Sequence, residues 1–202
     1  WPEEFAKLKD LVEAERLIPK AIWLTHGHFD HVHGVLKIVR EYSVPVLMSP
    51  EDKMILDNNP AAVREFGLIA HDSSEIKTGD VKDGEILDTL EGSPFRVITT
   101  PGHTPGGVCY YSEVDKVLLT GDTLFAGAIG RSDLIGGDYD HLIISIMDKL
   151  MGLPGDVDVL PGHGCRTTIA DERTHNPFLQ PFNEPEEDAD WDGDGIEING
   201  EI

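Results

Sequence analysis

The sequence predicts a layered α/β protein. Short, almost wholly apolar runs alternate with segments whose apolar residues fall at helical spacing, and turn-rich hairpins lie between them. Several of the apolar runs end abruptly in clusters of His, Asp and Gly. Layered α/β proteins place their chemistry just beyond strand ends. The 202 residues are enough for one substantial core, and the mix of 40% hydrophobic and 27% charged residues is that of an ordinary globular chain.

Taken in order, residues 2–17 read as a helix. Pro2 suits a first turn, Glu3 and Glu4 its positive end, and Phe5, Leu8 and Val12 form an apolar stripe. Residues 21–25 (AIWLT) have the look of a strand covered on both faces. A second helix is expected through Val32, Val35, Leu36 and Val39, and a strand over 44–49. Residues 50–79 are polar and irregular, with a helix expected near 60–67. Residues 84–100 read as a hairpin turning at Glu91–Gly92–Ser93, with Phe95, Val97 and Thr99 on one side. Strands at 107–111 and 116–120 precede a helix over 139–151, which Asp138 caps and Gly152 and Pro154 stop. A last strand covers 157–160, and beyond Pro177 an irregular, acidic stretch is expected. The domain division is therefore 1–180 for the folded body and 181–202 for an acidic tail.

Charge narrows the possible partners. Sixteen Lys and Arg against 38 Asp and Glu give −22, of which nine acids lie in residues 184–202 and leave about −13 for the body. Clustered cations are what a nucleic-acid backbone requires, so nucleic acid is not expected as a partner. No apolar run approaches the length of a membrane span, and no membrane partner is expected. Two distant cysteines, Cys109 and Cys165, fit a reducing, cytoplasmic setting and small core positions rather than a disulfide framework. A small-molecule substrate is the expected partner.

The chemistry concentrates in the histidines, nine in all. In THGHFDHVHG (25–34), His26 and His28 lie two apart on an extended segment, and Asp30 and His31 follow where the chain turns into a helix. Imidazole and carboxylate are the ligands of borderline divalent ions such as zinc. Four such groups this close cannot wrap one tetrahedral ion, but they can give two ligands to each of two ions. Three further candidates each follow an apolar run: His103 in PGHTPGG, Asp122 in LLTGDTLF and His163 in PGHG. Gly102, Gly121 and Gly162 flank them and leave room for close approach. Five His and two Asp suffice for two three-ligand sites if one carboxylate bridges. His33, His71, His141 and His175 lack such neighbours and are expected to be surface or core-edge residues.

The runs THGHFDH, PGHTPGG, TGDTLF and PGHG resemble those of the metallo-β-lactamase superfamily, and within it the glyoxalase II-like (hydroxyacylglutathione hydrolase-like) hydrolases, over roughly residues 20–180. The resemblance implies a four-layer αββα sandwich with a dinuclear metal site on one edge. It implies that His26, His28 and His103 bind the first metal, that Asp30, His31 and His163 bind the second, and that Asp122 bridges them. Two divalent ions are implied, zinc foremost, with iron or manganese as alternatives. In Gly130–Arg131–Ser132–Asp133, which also matches a family stretch, Arg131 and Asp133 are expected to be structural ion-pair partners. Two departures stand out: the family's opening hairpin has no counterpart in the residues ahead of His26, and the residues after His163 are acidic where eukaryotic glyoxalase II carries a basic, glutathione-holding helical domain.

The expected reaction is hydrolysis of a thioester by a hydroxide shared between two cations. Asp30 and Asp122 are the catalytic carboxylates, Asp30 orienting that nucleophile. A thiolate leaves without a strong general acid. The first alternative is a persulfide dioxygenase with one iron, which the GRSD-like stretch and the ERTHNP-like ending (172–177) also resemble; the second is a non-catalytic metal-binding or adaptor protein. The tail run DWDGDGIEINGE matches calcium-loop spacing at Asp190, Asp192, Asp194, Gly195 and Glu201, but Glu197 occupies an apolar position of that pattern. A solvated acidic tail or a short hairpin at Asn199–Gly200 is the plainer expectation.

Overall fold

Alternation along each strand builds the layers. The computed structural model describes residues 2–65, 75–88 and 91–183. Its first sheet contains β1 (Ile22–Trp23), β2 (Val46–Met48) and β3 (Thr78–Asp80), all parallel, in that spatial order. Its second runs in the order β11-β10-β7-β6-β5-β4, from β4 (Ile86–Leu87), β5 (Phe95–Thr99), β6 (Val108–Ser112), β7 (Val117–Gly121), β10 (Asp158–Pro161) and β11 (Thr167–Thr168). A small hairpin, β8 (Leu124–Phe125) and β9 (Ala128–Ile129), stands apart.

Because neighbouring residues of a strand face opposite ways, each sheet serves two cores. Trp23 and Leu47 of the first sheet meet Phe95, Val97, Val108, Tyr110 and Leu119 of the second between the sheets. On the outer face of the first sheet, Leu24, Val46 and Met48 pack against Val32 of α2 (Phe29–Val32), Val35 of α3 (Val35–Tyr42) and Leu56 of α4 (Lys53–Glu65). On the outer face of the second, Ile98, Cys109 and Leu118 pack against Leu142 and Ile143 of α5 (Tyr139–Ser145), the π-helical turn Ile146–Leu150 and Ile169 of α6 (Ile169–His175). The result is helices, sheet, sheet, helices: the four-layer αββα sandwich. Ahead of it lies α1 (Pro2–Ala14). Among the described residues no helix is long and apolar enough to cross a membrane.

The longer central strands and the capped helix follow the sequence closely; the Asp138 side chain accepts the His141 N–H at 2.9 Å. Elsewhere tertiary context prevails. The single helix expected from Val32 to Val39 is two, α2 and α3, separated at His33–Gly34. The expected irregular stretch after residue 50 contains a 3-10 turn, Pro50–Asp52, and the thirteen-residue α4, which accommodates Pro60 in its interior. Pro60 removes a backbone donor from α4; burial of Ile55, Leu56 and Val63 outweighs that loss. β3, with sequence Thr-Gly-Asp, has no strand signal of its own and forms because β2 offers it a parallel edge. After Pro177, the four-residue helix α7 (Gln180–Asn183) replaces the expected irregular chain. Cys165 is exposed, not a core residue, whereas Cys109 is buried as expected. The acidic run 184–202 with its calcium-like loop, His71, the end of the helix expected at 60–67 and residues 89–90 before the hairpin turn lie outside the described residues.

One side chain joins the two sheets directly: the buried Tyr110 hydroxyl donates to the Leu24 carbonyl at 2.7 Å. Burial holds that phenol un-ionised far above its ordinary range. Replacing Tyr110 with Phe leaves a buried carbonyl short of a donor and is expected to cost about 1–3 kcal/mol. Urea unfolding should show a lower midpoint at unchanged slope; an unaltered midpoint would mean that this bond does not help to hold the sheets together.

Candidate metal centre

Five of the seven singled-out side chains lie in stretches just past strands, and the other two, Asp30 and His31, open a helix. Beyond β1, residues Thr25–His28 run extended and His28 is the cap residue of α2, which carries Asp30 and His31 on its first turn. His103 lies in the turn between β5 and β6, Asp122 follows the last residue of β7, and His163 follows β10. Parallel pairing of β7 with β10 puts Gly121 opposite Pro161, so Asp122 and His163 leave the sheet side by side. The Gly162 N–H donates to the Gly121 carbonyl at 2.7 Å and extends that pairing into the site. Residue 162 must be glycine: a Cβ there would stand 2.5 Å from Asp122 Oδ1 and 2.6 Å from the His31 ring. Gly121 has φ +50° and would drive a Cβ into Thr25 at 2.4 Å.

All seven come together. His26, His28 and His103 form one group, Asp30, His31 and His163 another, and His26, His31 and Asp122 a third between them; within each group the ligating atoms lie within 4.8 Å of one another. His28 Nδ1 is 3.0 Å from His103 Nε2, and His31 Nε2 is 3.3 Å from His163 Nε2. Asp122 spans the halves, with Oδ1 3.3 Å from His31 Nε2 and Oδ2 3.7 Å and 3.6 Å from the Nε2 atoms of His103 and His163. Asp30 Oδ2 is 3.2 Å from His163 Nε2. Ligands on a tetrahedral ion with bonds of 2.0–2.1 Å stand about 3.3 Å apart. The spacings here have that size. Two buried atoms, His26 Nε2 and Asp122 Oδ1, make no hydrogen bond among the described residues. Buried polar atoms are seldom left so, and a cation is a partner both could share.

Electrostatics match. Burial, reinforced by the neighbouring rings of His31, His103 and His28, drives the His26 pKa well below its ordinary value. Burial and then His103 lower His28 to about 4. Both rings are therefore neutral at pH 7, the form that ligates metal. Burial works against charge on His31, but Asp122 and Asp30 raise its pKa overall. Burial likewise opposes ionisation of Asp122, yet His31, His103 and His163 bring its pKa down. His103 Nδ1 donates to the Arg131 carbonyl at 2.7 Å, which fixes the ring and turns Nε2 toward the cluster.

Arg131 and Asp133 do pair with each other, through two 2.7 Å bonds on the exposed surface. The contribution of Arg131 to the site is its backbone carbonyl, which no side-chain pattern foreshadows. Two buried acids also escape sequence reasoning. Asp52 accepts the Gly27 N–H at 2.7 Å, the Gly106 N–H at 2.6 Å and the Thr104 hydroxyl at 2.9 Å. Burial pushes its carboxyl up, while those three donors and His103 pull the other way. Asn59 donates to the Gly27 carbonyl at 2.7 Å. Glu172 accepts from Gly127, Thr167 and Asn176, and Asn176 donates to the Ala128 carbonyl, which anchors the β8–β9 hairpin beside Asp122. Single acids and amides in polar stretches carry no signal of such roles.

Together the fold and this cluster define a metallo-hydrolase. Residues 1–163 match the family model described as the Metallo-beta-lactamase superfamily. The chain is 41% identical over 177 residues to a protein named hydroxyacylglutathione hydrolase GloC of Haemophilus influenzae, with 83% of each chain covered. Among solved structures, it superposes on TTHA1623 in a di-iron-bound form with a TM-score of 0.78 and 38% identity, covering 86% of this chain and 84% of that one. It superposes on the BLEG-1 B3 metallo-beta-lactamase with a TM-score of 0.75 and 38% identity, covering 86% and 83%. The chain belongs to the metallo-beta-lactamase superfamily.

The depressed His28 pKa carries a stability consequence. Between its ordinary value of 6.5 and about 4, the unfolded chain binds a proton that the folded, metal-free chain excludes, so stability falls as pH falls through that window. Replacing His28 with Gln should flatten this part of the stability–pH curve of metal-free protein in urea titrations. Parallel curves for the two proteins would show that His28 is not held neutral.

Proposed function

We propose that this protein is a two-metal thioester hydrolase acting on hydroxyacyl-glutathione-like substrates. The observation that carries the reading is the convergence of five imidazoles and two carboxylates into two triads that share Asp122. In this reading His26, His28 and His103 hold one ion, Asp30, His31 and His163 hold the other, and Asp122 offers an oxygen to each. Zinc suits the donor set best; the di-iron form of TTHA1623 makes iron the principal alternative. Two bound cations supply an activated water nucleophile at neutral pH and Lewis acidity toward a carbonyl.

The chain's own residues do the rest. His26 and His28 stay neutral through burial and keep their lone pairs for binding. The Arg131 carbonyl aligns His103. Asp30, on the exposed side of the cluster, has the position to accept a hydrogen bond from water and orient it toward a carbonyl carbon. A thiolate leaving group requires no protonation, which suits a site whose two clustered carboxylates, Asp30 and Asp122, are both engaged with imidazoles. Thioester over β-lactam is favoured by the 41% identity to GloC; the 38% identity to BLEG-1 makes β-lactams the comparison substrate.

Metal-loaded protein should hydrolyse hydroxyacyl-glutathione thioesters faster than β-lactams, followed by thiol release and by β-lactam absorbance. Asp122→Ala and His103→Ala should lower thioester turnover by more than the roughly 10–100-fold that losing a ligand's supporting hydrogen bond costs. Full turnover in either purified variant would remove the basis of the reading.

A further inference from the structure

The three imidazoles of the deeper triad come from two separate segments. His26 and His28 lie on the extended run after β1, in the first sheet; His103 lies in the turn between β5 and β6, in the second. Between them His28 Nδ1 and His103 Nε2 are 3.0 Å apart, a spacing that holds only if the segments keep their relative position. Asp52 joins them. It is fully buried at the end of the Pro50–Asp52 turn. Its Oδ2 accepts the N–H of Gly27, the residue between His26 and His28, and also the hydroxyl of Thr104, which follows His103. Its Oδ1 accepts the Gly106 N–H in the same turn as His103. Asn59, nearly two turns along α4, donates to the Gly27 carbonyl.

Contact is close on both sides. A Cβ on Gly106 would lie 2.5 Å from the Asp52 nitrogen and 2.8 Å from its Oδ1, and one on Gly27 would lie 3.0 Å from the Asp52 carbonyl. All three partners are donors, so only a group with two acceptor oxygens satisfies them. Among the described residues, the bonds from the Val108 N–H to the Thr25 carbonyl at 2.8 Å and from the Tyr110 hydroxyl to the Leu24 carbonyl at 2.7 Å also tie the first segment to the second sheet, and both lie ahead of His26. No hydrogen bond among the described residues links Asp52 to Asp30, His31 or His163, and the Gly162–Gly121 backbone bond holds the His163 segment against that of Asp122 instead.

We propose that Asp52 is a positioning residue for the His26–His28–His103 half of the centre alone, setting the affinity of one metal position and leaving the other unaffected. This rests on the two-metal reading. Ligating groups tolerate displacements of only about 0.5 Å, and their supporting hydrogen bonds are worth about 10–100-fold in metal affinity. Asparagine cannot substitute. Its single acceptor oxygen serves one side, and its amide then faces a backbone N–H on the other. Thr104→Val removes only the hydroxyl bond and keeps both backbone bonds.

The test is zinc binding to metal-free protein in competition with a chromophoric chelator, comparing wild type, Asp52→Asn and Thr104→Val. Wild type should take two equivalents. Asp52→Asn should weaken one equivalent about tenfold or more and leave the other within about twofold; Thr104→Val should weaken the same equivalent less. With cobalt(II) in place of zinc, the shifted ring N–H resonances of His26, His28 and His103 should change or vanish in Asp52→Asn, and those of His31 and His163 should persist. Should Asp52→Asn fail to fold, Thr104→Val carries the comparison. Both equivalents weakening alike, or neither weakening, overturns the proposal. Fewer than two equivalents in wild type would overturn the two-metal reading and the proposal with it, whereas two in every protein with equal affinities would overturn the proposal alone.

Discussion

Metal-ligating side-chain atoms held at contact distance in a largely buried cluster are the constraint around which this molecule is organised. His103 donates through Nδ1 to a backbone carbonyl, which leaves a lone pair on Nε2, and that lone pair faces His28 Nδ1 at 3.0 Å. His26 is 1% exposed with Nε2 unpartnered, and its ring lies 4.1 Å from that of His31 and 4.8 Å from that of His103. Such an arrangement opposes folding unless a cation is shared among the groups, because burial without a partner costs roughly 1–3 kcal/mol per polar group. Its persistence has to come from a frame rigid enough to impose it.

That frame is the strand ends. β7 and β10 are parallel neighbours, so the residues just past them leave the sheet in the same direction; β1 belongs to the other sheet and reaches the same edge through the Tyr110–Leu24 bond and the core between the sheets. Loops that cross the gap are tied down by buried acceptors rather than by further strands: Asp52 under the first two segments, Glu172 under the β8–β9 hairpin. A carboxylate suits this use because it takes several donors at once and keeps backbone N–H groups satisfied where no sheet partner is available.

This division explains what could be read from the sequence. The layered fold was legible in runs such as Val108–Ser112 and Val117–Gly121, because residues that serve two cores must be apolar on both faces. The seven clustered side chains were legible because His, Asp and Gly at strand ends have few other reasons to recur. β3 was not, since Thr78–Asp80 is a strand only by virtue of its neighbour, and α4 was legible only from residue 60 onward, because its first turns carry no strong apolar period. Asp52, Asn59 and Glu172 were invisible for a different reason. Their importance lies in which backbone atoms they face, and a one-dimensional pattern does not encode that.

The two halves of the cluster also differ in their access to solvent, and the difference bears on how a reactant approaches. His26 and His103 are buried, whereas the side chains of Asp30 and His163 are 40% and 57% exposed. On the inner side burial keeps two imidazoles neutral; on the outer side His31 is drawn toward its charged form by Asp122 and Asp30. A molecule arriving from solvent therefore meets Asp30 and His163 first, with the buried imidazoles of His26 and His103 behind them. Rigidity is needed most on that inner side, where buried rings have only protein groups to hold them, and it is there that the buried carboxylate of Asp52 sits.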